Sequence, residues 1–318
     1  MPCLTERSQA LKRMAGGLIL SALLVAMVGY GVSWLKSVPV QVSHEVMYVN
    51  GLNRAYRLVV PDRTRGKAGL PVMFALHGAL NTTDEMAAST NLDALAAKHG
   101  FLLVYLQGRL RNWPPSIAPE NPEHIVPDLE FFDAMCDTLV SRHAADRTRV
   151  YVVGVSQGGA MCNLLVAKRS ERIAAAVCNS GWMPKPLDVM PLDTPHKTPM
   201  LFLAGSLDQQ VPPETVQKAH DIFSAAGHPT EFQLLEGAGH EWAYQLGINQ
   251  LIFGFLSQHR LSDKFGRSQP RGFPSLAIRL GDPVLRFGMI GNFECGRIPS
   301  YFFAWITDTD CSEEYGFG

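Results

Sequence analysis

Between residues 149 and 169 an apolar run, VYVVGV, passes without a linker into helical spacing, QGGAMCNLLVAKR. An unbroken apolar run of this length reads as a strand buried on both faces. A sheet with helices on either side buries a strand that way. The junction itself is Gly154-Val155-Ser156-Gln157-Gly158. So sharp a strand-to-helix turn needs residues without bulk, because side chains at 154 and 158 would collide with the neighbouring strand and helix.

The same alternation extends along the chain. HEVMYV (44–49) and AYRLVV (55–60) flank Asn50-Gly51, a favoured hairpin turn, and are expected to pair antiparallel. Further strands are expected at 71–78, 101–106, 149–155, 173–180, 199–205 and 230–236. Helices are expected at 84–98, from Pro127 onward, and at 157–169, 213–226 and 241–259. Strands alternating with helices imply right-handed crossovers and a doubly wound, mostly parallel α/β sheet. In such sheets ligands bind beyond the carboxyl ends of the strands. Two proline-containing loops, 107–126 and 181–199, leave such ends and should border a site. Residues 261–318 do not continue the pattern and fit no sheet strand. They read as an accessory or disordered extension behind a domain spanning 37–260.

Hydrophobic residues make up 47% of the 318 positions and charged residues 18%, with a formal net charge of −1. This is the balance of a globular chain with a substantial core. No basic block appears, so nucleic acid is not an expected partner. The cysteines, Cys3, Cys136, Cys162, Cys178, Cys295 and Cys311, form no CxxC and no Cys/His spacing suited to zinc. The central ones read as buried thiols, while Cys295 and Cys311 could pair. Neither a metal nor a cofactor is expected.

At the amino terminus Lys12 and Arg13 precede residues 14–35, which carry no charge. At about 1.5 Å per residue this stretch would span about 30 Å of hydrocarbon. Tyr30 and Trp34 sit near one end and Lys36 follows. Residues 1–36 therefore read as a signal-anchor helix, with the positive flank cytoplasmic. The alternatives are a signal peptide cleaved near Gly29-Tyr30-Gly31 and a helix buried in the domain. Both export readings place the domain outside the cytoplasm, secreted or membrane-anchored.

A serine hydroxyl at such a turn is a poor nucleophile without a base. Among the histidines downstream of Ser156, His240 lies in EGAGHEW, a glycine-rich loop after the last expected strand. His220 and His259 fall in helical patterns, His196 in a long loop and His228 beside a turn proline. His240 is therefore the expected base. Asp208, in AGSLDQQVP directly after the strand at 199–205, is the expected partner of the imidazole. Asp188, Asp193 and Asp221 are less suitably placed, and Asp208 could instead cap the following helix. Two backbone N–H groups would hold a developing oxyanion: that of Gln157, at a helix start, and that of Ala79, in LHGAL after the strand at 71–76. His77 itself could simply be a packed histidine at a strand end. Trp113, Trp182 and Trp242 fall in loops around this point and either line a substrate pocket or plug the core edge.

With these residues identified, the chain resembles the α/β-hydrolase superfamily. Within it, the resemblance is to the esterases that include polyhydroxybutyrate depolymerases and feruloyl esterases. The stretches that carry it are LHGALNTTDEMA, LDALAAKHGFLLVYLQG, RVYVVGVSQGGAM, AGSLDQQVP and GAGHEW, spread over residues 44–260. The resemblance implies a Ser156–His240–Asp208 triad in an exported serine esterase, acting on polyhydroxyalkanoate, feruloyl or acetyl esters through an acyl-enzyme. The chain departs from the family pattern in having Ala79-Leu80 after the His-Gly pair and Pro127-Asp128 before the elbow strand. No cap insertion is visible, so an open site compatible with a bulky or polymeric ester is expected. A serine peptidase of the prolyl-oligopeptidase kind shares the catalytic arrangement, but no propeller domain fits between residue 36 and the strand at 71. A non-catalytic binding protein on a hydrolase scaffold is the remaining alternative.

Overall fold

The computed structural model describes residues 39–114, 122–185, 187–188 and 192–262, together with the backbone of 276–279. The amino-terminal segment 1–36, most of 261–318, and Cys3, Cys295 and Cys311 lie outside the described residues. Among the described residues no helix is long and apolar enough to cross a membrane.

Among the described residues nine strands form one sheet: β1 (Val40–Val49), β2 (Leu52–Pro61), β3 (Leu70–Leu76), β4 (Leu102–Leu106), β5 (Ala145–Val155), β6 (Ala175–Asn179), β7 (Met200–Gly205), β8 (Thr230–Leu235) and β9 (Leu276–Arg279). Their order is β8-β7-β6-β5-β3-β4-β2-β1-β9. The pairs from β4 across to β8 are parallel. β1 and β2 close the antiparallel end through the turn at Asn50-Gly51, whose φ angles are both positive. β9 adds antiparallel to β1, so the extension that showed no strand pattern in sequence does contribute one. The pairing is made by backbone, which side-chain periodicity does not report.

Every residue of β4, β6 and β7 is buried, as parallel strands covered on both faces must be. One core holds Val72, Phe74 and Leu76 against helices α3 (Pro122–His143), α4 (Gln157–Arg169) and α5 (Pro213–Ala225). The other holds Met73 and Ala75 against α1 (Thr83–Thr90), α2 (Leu92–His99) and α6 (Ile248–Leu256). Alternate residues of one strand thus feed opposite cores, which is the doubly wound arrangement.

Three helices differ from the sequence reading. The stretch at 84–98 is two helices, because Asn91 adopts a left-handed φ of 52° between them. A capping box of Thr82 and Glu85 opens the first, and Gly100, φ 77°, ends the second. The helix expected to start at Pro127 begins at Pro122 and carries Pro127 inside it. The helix expected at 241–259 is a 3-10 turn (Tyr244–Leu246) followed by α6, separated by positive φ at Ala243 and Gly247.

A buried ion pair anchors α3 to the sheet. The Arg54 guanidinium, on β2, donates to Asp128, to the Pro127 carbonyl at 2.9 Å and to the Gln107 carbonyl at 3.3 Å. It also lies 4.4 Å from the centre of the Phe131 ring. Burial disfavours both charges, and losing one partner of such a pair typically costs about 3–5 kcal/mol. The same contacts hold Gln107 at the end of β4, next to the site. Cys136, Cys162 and Cys178 are buried free thiols, and burial pushes the Cys178 thiol up to about 12.

Candidate active site

The strand order reverses around β3, whose neighbours β4 and β5 leave in opposite directions. Ser156 sits at the carboxyl end of β5, beside this switch point, where open α/β sheets form their crevice. Its backbone is strained, with φ 56° and ψ −122°, a conformation costing on the order of 1–3 kcal/mol that the surroundings must impose. They do so from both sides: its N–H donates to the Asn179 carbonyl at 2.9 Å, and its carbonyl accepts from Ala160 N–H at 3.0 Å. The flanking glycines are sterically required. A Cβ at Gly154 would run into the Gly158 carbonyl, and one at Gly158 into the Leu76 carbonyl of β3.

The loops after β7 and β8 bring the other two groups to the serine. Leu207 N–H donates to the Ala238 carbonyl at 2.8 Å, and Gly237 N–H to Ser206 Oγ at 2.9 Å. Gly205 packs so closely against Gly239 that a Cβ would meet its carbonyl. These contacts tie the Asp208 loop to the His240 loop. His240 Nδ1 lies 2.8 Å from Asp208 Oδ2, and Nε2 lies 2.9 Å from Ser156 Oγ. The Asp208 side chain is fully buried, and the His240 side chain is 15% exposed. Asp208 Oδ1 accepts from the N–H groups of Gln210 and Val211, each at 2.9 Å. Burial alone would raise the Asp208 carboxyl. The donors from Val211, His240 and Ser180 outweigh it and hold the group below its ordinary value. An anionic Asp208 can only accept, so His240 Nδ1–H donates to it. Nε2 then carries the lone pair that receives the Ser156 hydroxyl proton.

The structure thus brings together all three residues that the chain order suggested. Of the two backbone donors expected, Gln157 opens α4, so its N–H has no acceptor within the helix and sits at the positive end of the dipole. Ala79 follows Gly78, where a Cβ would stand 3.6 Å from Ser156 Cβ. Several of the other carboxylates and histidines have partners of their own, Asp188 in Lys218 among them. Asp221 pairs with His220, and the buried His228 contacts Thr194 and the Thr198 carbonyl.

The tryptophans divide. Trp113 and Trp242 do not line a substrate site. They are buried in the two cores, and their indole N–H groups donate to the His77 carbonyl at 2.9 Å and to Asn249 Oδ1 at 2.7 Å. A loop leaving a strand end can turn inward when its indole finds an acceptor there, and sequence position alone does not show that. Trp182 is half-buried and lines a cavity of about 380 Å³ with Met183, Asp188, Glu214, Thr215 and Lys218, beside the loop bearing Asp208. Two residues went unremarked in sequence: Asn179 and Ser180, at the end of β6. Asn179 supports the Ser156 backbone and donates from Nδ2 to the Glu241 carbonyl at 3.4 Å. A small polar pair ending a wholly apolar strand was the available signal. Among the described residues no group of three or more His, Cys, Asp or Glu side chains is placed to hold a metal ion.

The model of the phospholipase/carboxylesterase family matches residues 110–252, which include all three of these side chains. Over that stretch the chain is similar to the family. It is 32% identical over 166 residues to a protein assigned as an esterase, NocK of Nocardia uniformis subsp. tsuyamanensis, covering 50% of this chain and 46% of that one. It is 31% identical over 124 residues to feruloyl esterase B of Neurospora crassa, covering 38% and 42%. The chain therefore spans less than half the length of these curated relatives. Among solved structures, a ferulic acid esterase superposes with a TM-score of 0.56 at 18% identity, covering 69% of this chain and 98% of that one. At that identity the likeness is one of fold.

Proposed function

We propose that this protein is an exported serine esterase that cleaves carboxylic esters through an acyl-enzyme. The observation that carries the reading is the continuous line from Ser156 Oγ through the His240 ring to Asp208, at 2.9 and 2.8 Å. In the first half-reaction Ser156 Oγ attacks the ester carbonyl and its proton passes to His240 Nε2. The carbonyl oxygen becomes an oxyanion held by the N–H groups of Ala79 and Gln157. As the intermediate collapses, the C–O bond to the alcohol breaks and His240 returns the proton to the leaving oxygen. Water repeats the sequence on the acyl-serine and releases the acid.

The rim around the serine favours esters with a bulky apolar part. Leu80, Leu110 and Leu207 are exposed by 64%, 89% and 65%, and they lie on the loops after β3, β4 and β7. Feruloyl, hydroxybutyrate and acetyl esters are the candidate classes, the first suggested by the Neurospora crassa relative. Export rests on the uncharged stretch 14–35 between Arg13 and Lys36.

The test is hydrolysis of short p-nitrophenyl esters by the full chain and its Ser156→Ala variant, with fluorophosphonate labelling of both. The variant should fold, lose hydrolysis and take up no label. Near-normal hydrolysis by the variant, or no labelling of the wild type, overturns the reading. A panel of the three ester classes then ranks the substrates.

A further inference from the structure

The two backbone groups assigned to the oxyanion belong to segments far apart in sequence, one after β3 and one opening α4. A single buried residue touches the surroundings of both. Trp113 N–H donates to Gln157 Oε1 at 3.0 Å, and Gln157 Nε2–H donates back to the Trp113 carbonyl at 3.2 Å. Both residues are about 1% exposed. The Trp113 indole N–H reaches the other way, to the His77 carbonyl at 2.9 Å, two residues before Ala79. Its ring packs on the His77 imidazole with centroids 5.1 Å apart.

His77 passes the constraint on. Its Nδ1–H donates to the Gly78 carbonyl at 2.7 Å, and its Nε2 accepts from Gly108 N–H at 3.0 Å and from Gln107 Nε2–H at 2.9 Å. That pattern requires a neutral ring protonated on Nδ1. Burial keeps the ring neutral by lowering its pKa to about 4. A third contact follows at Leu80, whose N–H donates to the Arg111 carbonyl at 2.8 Å. The loop 107–113 therefore grips the 77–80 segment at its carbonyl, its ring and its backbone N–H. Leu80, Leu110 and Arg111 all hold positive φ angles, conformations that such residues keep only when their surroundings impose them.

We propose that Trp113 is a positioning residue for the oxyanion hole, setting the distance between the N–H groups of Ala79 and Gln157 through its clamp on the Gln157 side chain and its hydrogen bond to the His77 carbonyl. This rests on the esterase reading given above. Apolar burial alone would need only the ring, and a leucine or phenylalanine would serve. Here one residue places three polar atoms on the flanks of both donors. Donors aimed at a developing charge act only when held in place, and a misplacement of about 1 Å can cost on the order of 100-fold in rate.

The test uses the full chain with two single variants. Trp113→Phe keeps the ring and the backbone clamp but removes the indole N–H. Gln157→Met keeps the chain length and the backbone N–H but removes both clamp bonds. Each is assayed well below its melting temperature for kcat and KM on p-nitrophenyl acetate, and for affinity toward an aryl trifluoromethyl ketone. Ser156 Oγ adds to the ketone carbon, the carbonyl electron pair moves onto oxygen, and the hydroxyl proton goes to His240. The resulting alkoxide occupies the hole. The expected result is a kcat lower by about 10- to 100-fold, KM within about twofold, and ketone affinity falling in step with kcat/KM. Unchanged kcat and ketone affinity in the folded variants, with only a lower melting temperature, would show Trp113 to be a core residue and overturn the proposal. If one variant does not fold, the other decides by the same measurements. A wild type that neither hydrolyses esters nor labels at Ser156 removes the esterase reading and the proposal together. An active, labelled wild type with unaffected variants removes the proposal alone.

Discussion

Replacing Asp208 with Asn tests the orientation of the base, and the structure specifies how it should act. Oδ1 accepts from two backbone donors, Gln210 N–H and Val211 N–H, while Oδ2 accepts from His240. An asparagine must place its oxygen where the two donors are, because an NH2 there would face both of them. Its NH2 is then left facing His240 Nδ1. The imidazole has to accept at Nδ1, so its proton moves to Nε2, 2.9 Å from Ser156 Oγ. The ring keeps its place but can no longer take the serine proton. A wrong tautomer of this kind lowers kcat about 10⁴-fold, or roughly 5.5 kcal/mol of barrier. Stability should change far less. Two of the three hydrogen bonds survive and the third is reversed and loses its charge, so the cost stays below the roughly 1.5–3 kcal/mol of losing a charge-assisted bond outright. The assay is kcat on p-nitrophenyl acetate at neutral pH, paired with urea unfolding and imidazole proton NMR to read the tautomer. The wild-type anion should persist into mild acid, since its carboxyl is held below the ordinary value. Its contribution to stability is present above the unfolded carboxyl pKa and is lost as pH falls through the depressed folded one. A folded Asp208→Asn variant with kcat within about tenfold of wild type would refute the orientation argument.

Three further outcomes follow from packing and burial. Gly158→Ala forces a Cβ into the Leu76 carbonyl, a backbone atom of a central strand that cannot give way, so ester hydrolysis should vanish with a stability loss of at least about 1–3 kcal/mol. Gly254→Ala, in α6 with open space around it, should instead stabilise by up to about 1 kcal/mol. Equal effects at the two sites in urea unfolding would remove the steric account of the elbow. His77 is depressed from its ordinary value to about 4, so below about pH 6.5 the unfolded chain takes up a proton that the folded one refuses. Stability should fall with pH across that window, by roughly 3 kcal/mol from this residue once pH reaches 4. The difference in urea midpoint between wild type and His77→Asn should shrink as pH falls through the window; a difference independent of pH shows that the buried ring is not the source.

Much of the domain was legible in the sequence because it is written in local period and chain order. Unbroken apolar runs marked the strands buried on both faces, and α4 runs from Gln157 to Arg169 as its spacing indicated. Ser156, Asp208 and His240 could be chosen because each closely follows a strand, and in a parallel sheet all such ends meet at one edge. What tertiary structure alone decided are the contacts between segments distant in sequence. Asn91 breaks a helix that periodicity reads as continuous, because a left-handed φ carries no hydrophobic signature. β9 joins the sheet through backbone pairing, to which side-chain pattern is blind. Trp113 turned inward because its indole meets the His77 carbonyl and its backbone meets Gln157, partners 36 and 44 residues away. Period tells a residue which face it occupies; only the folded crossovers determine which atoms wait on the other side.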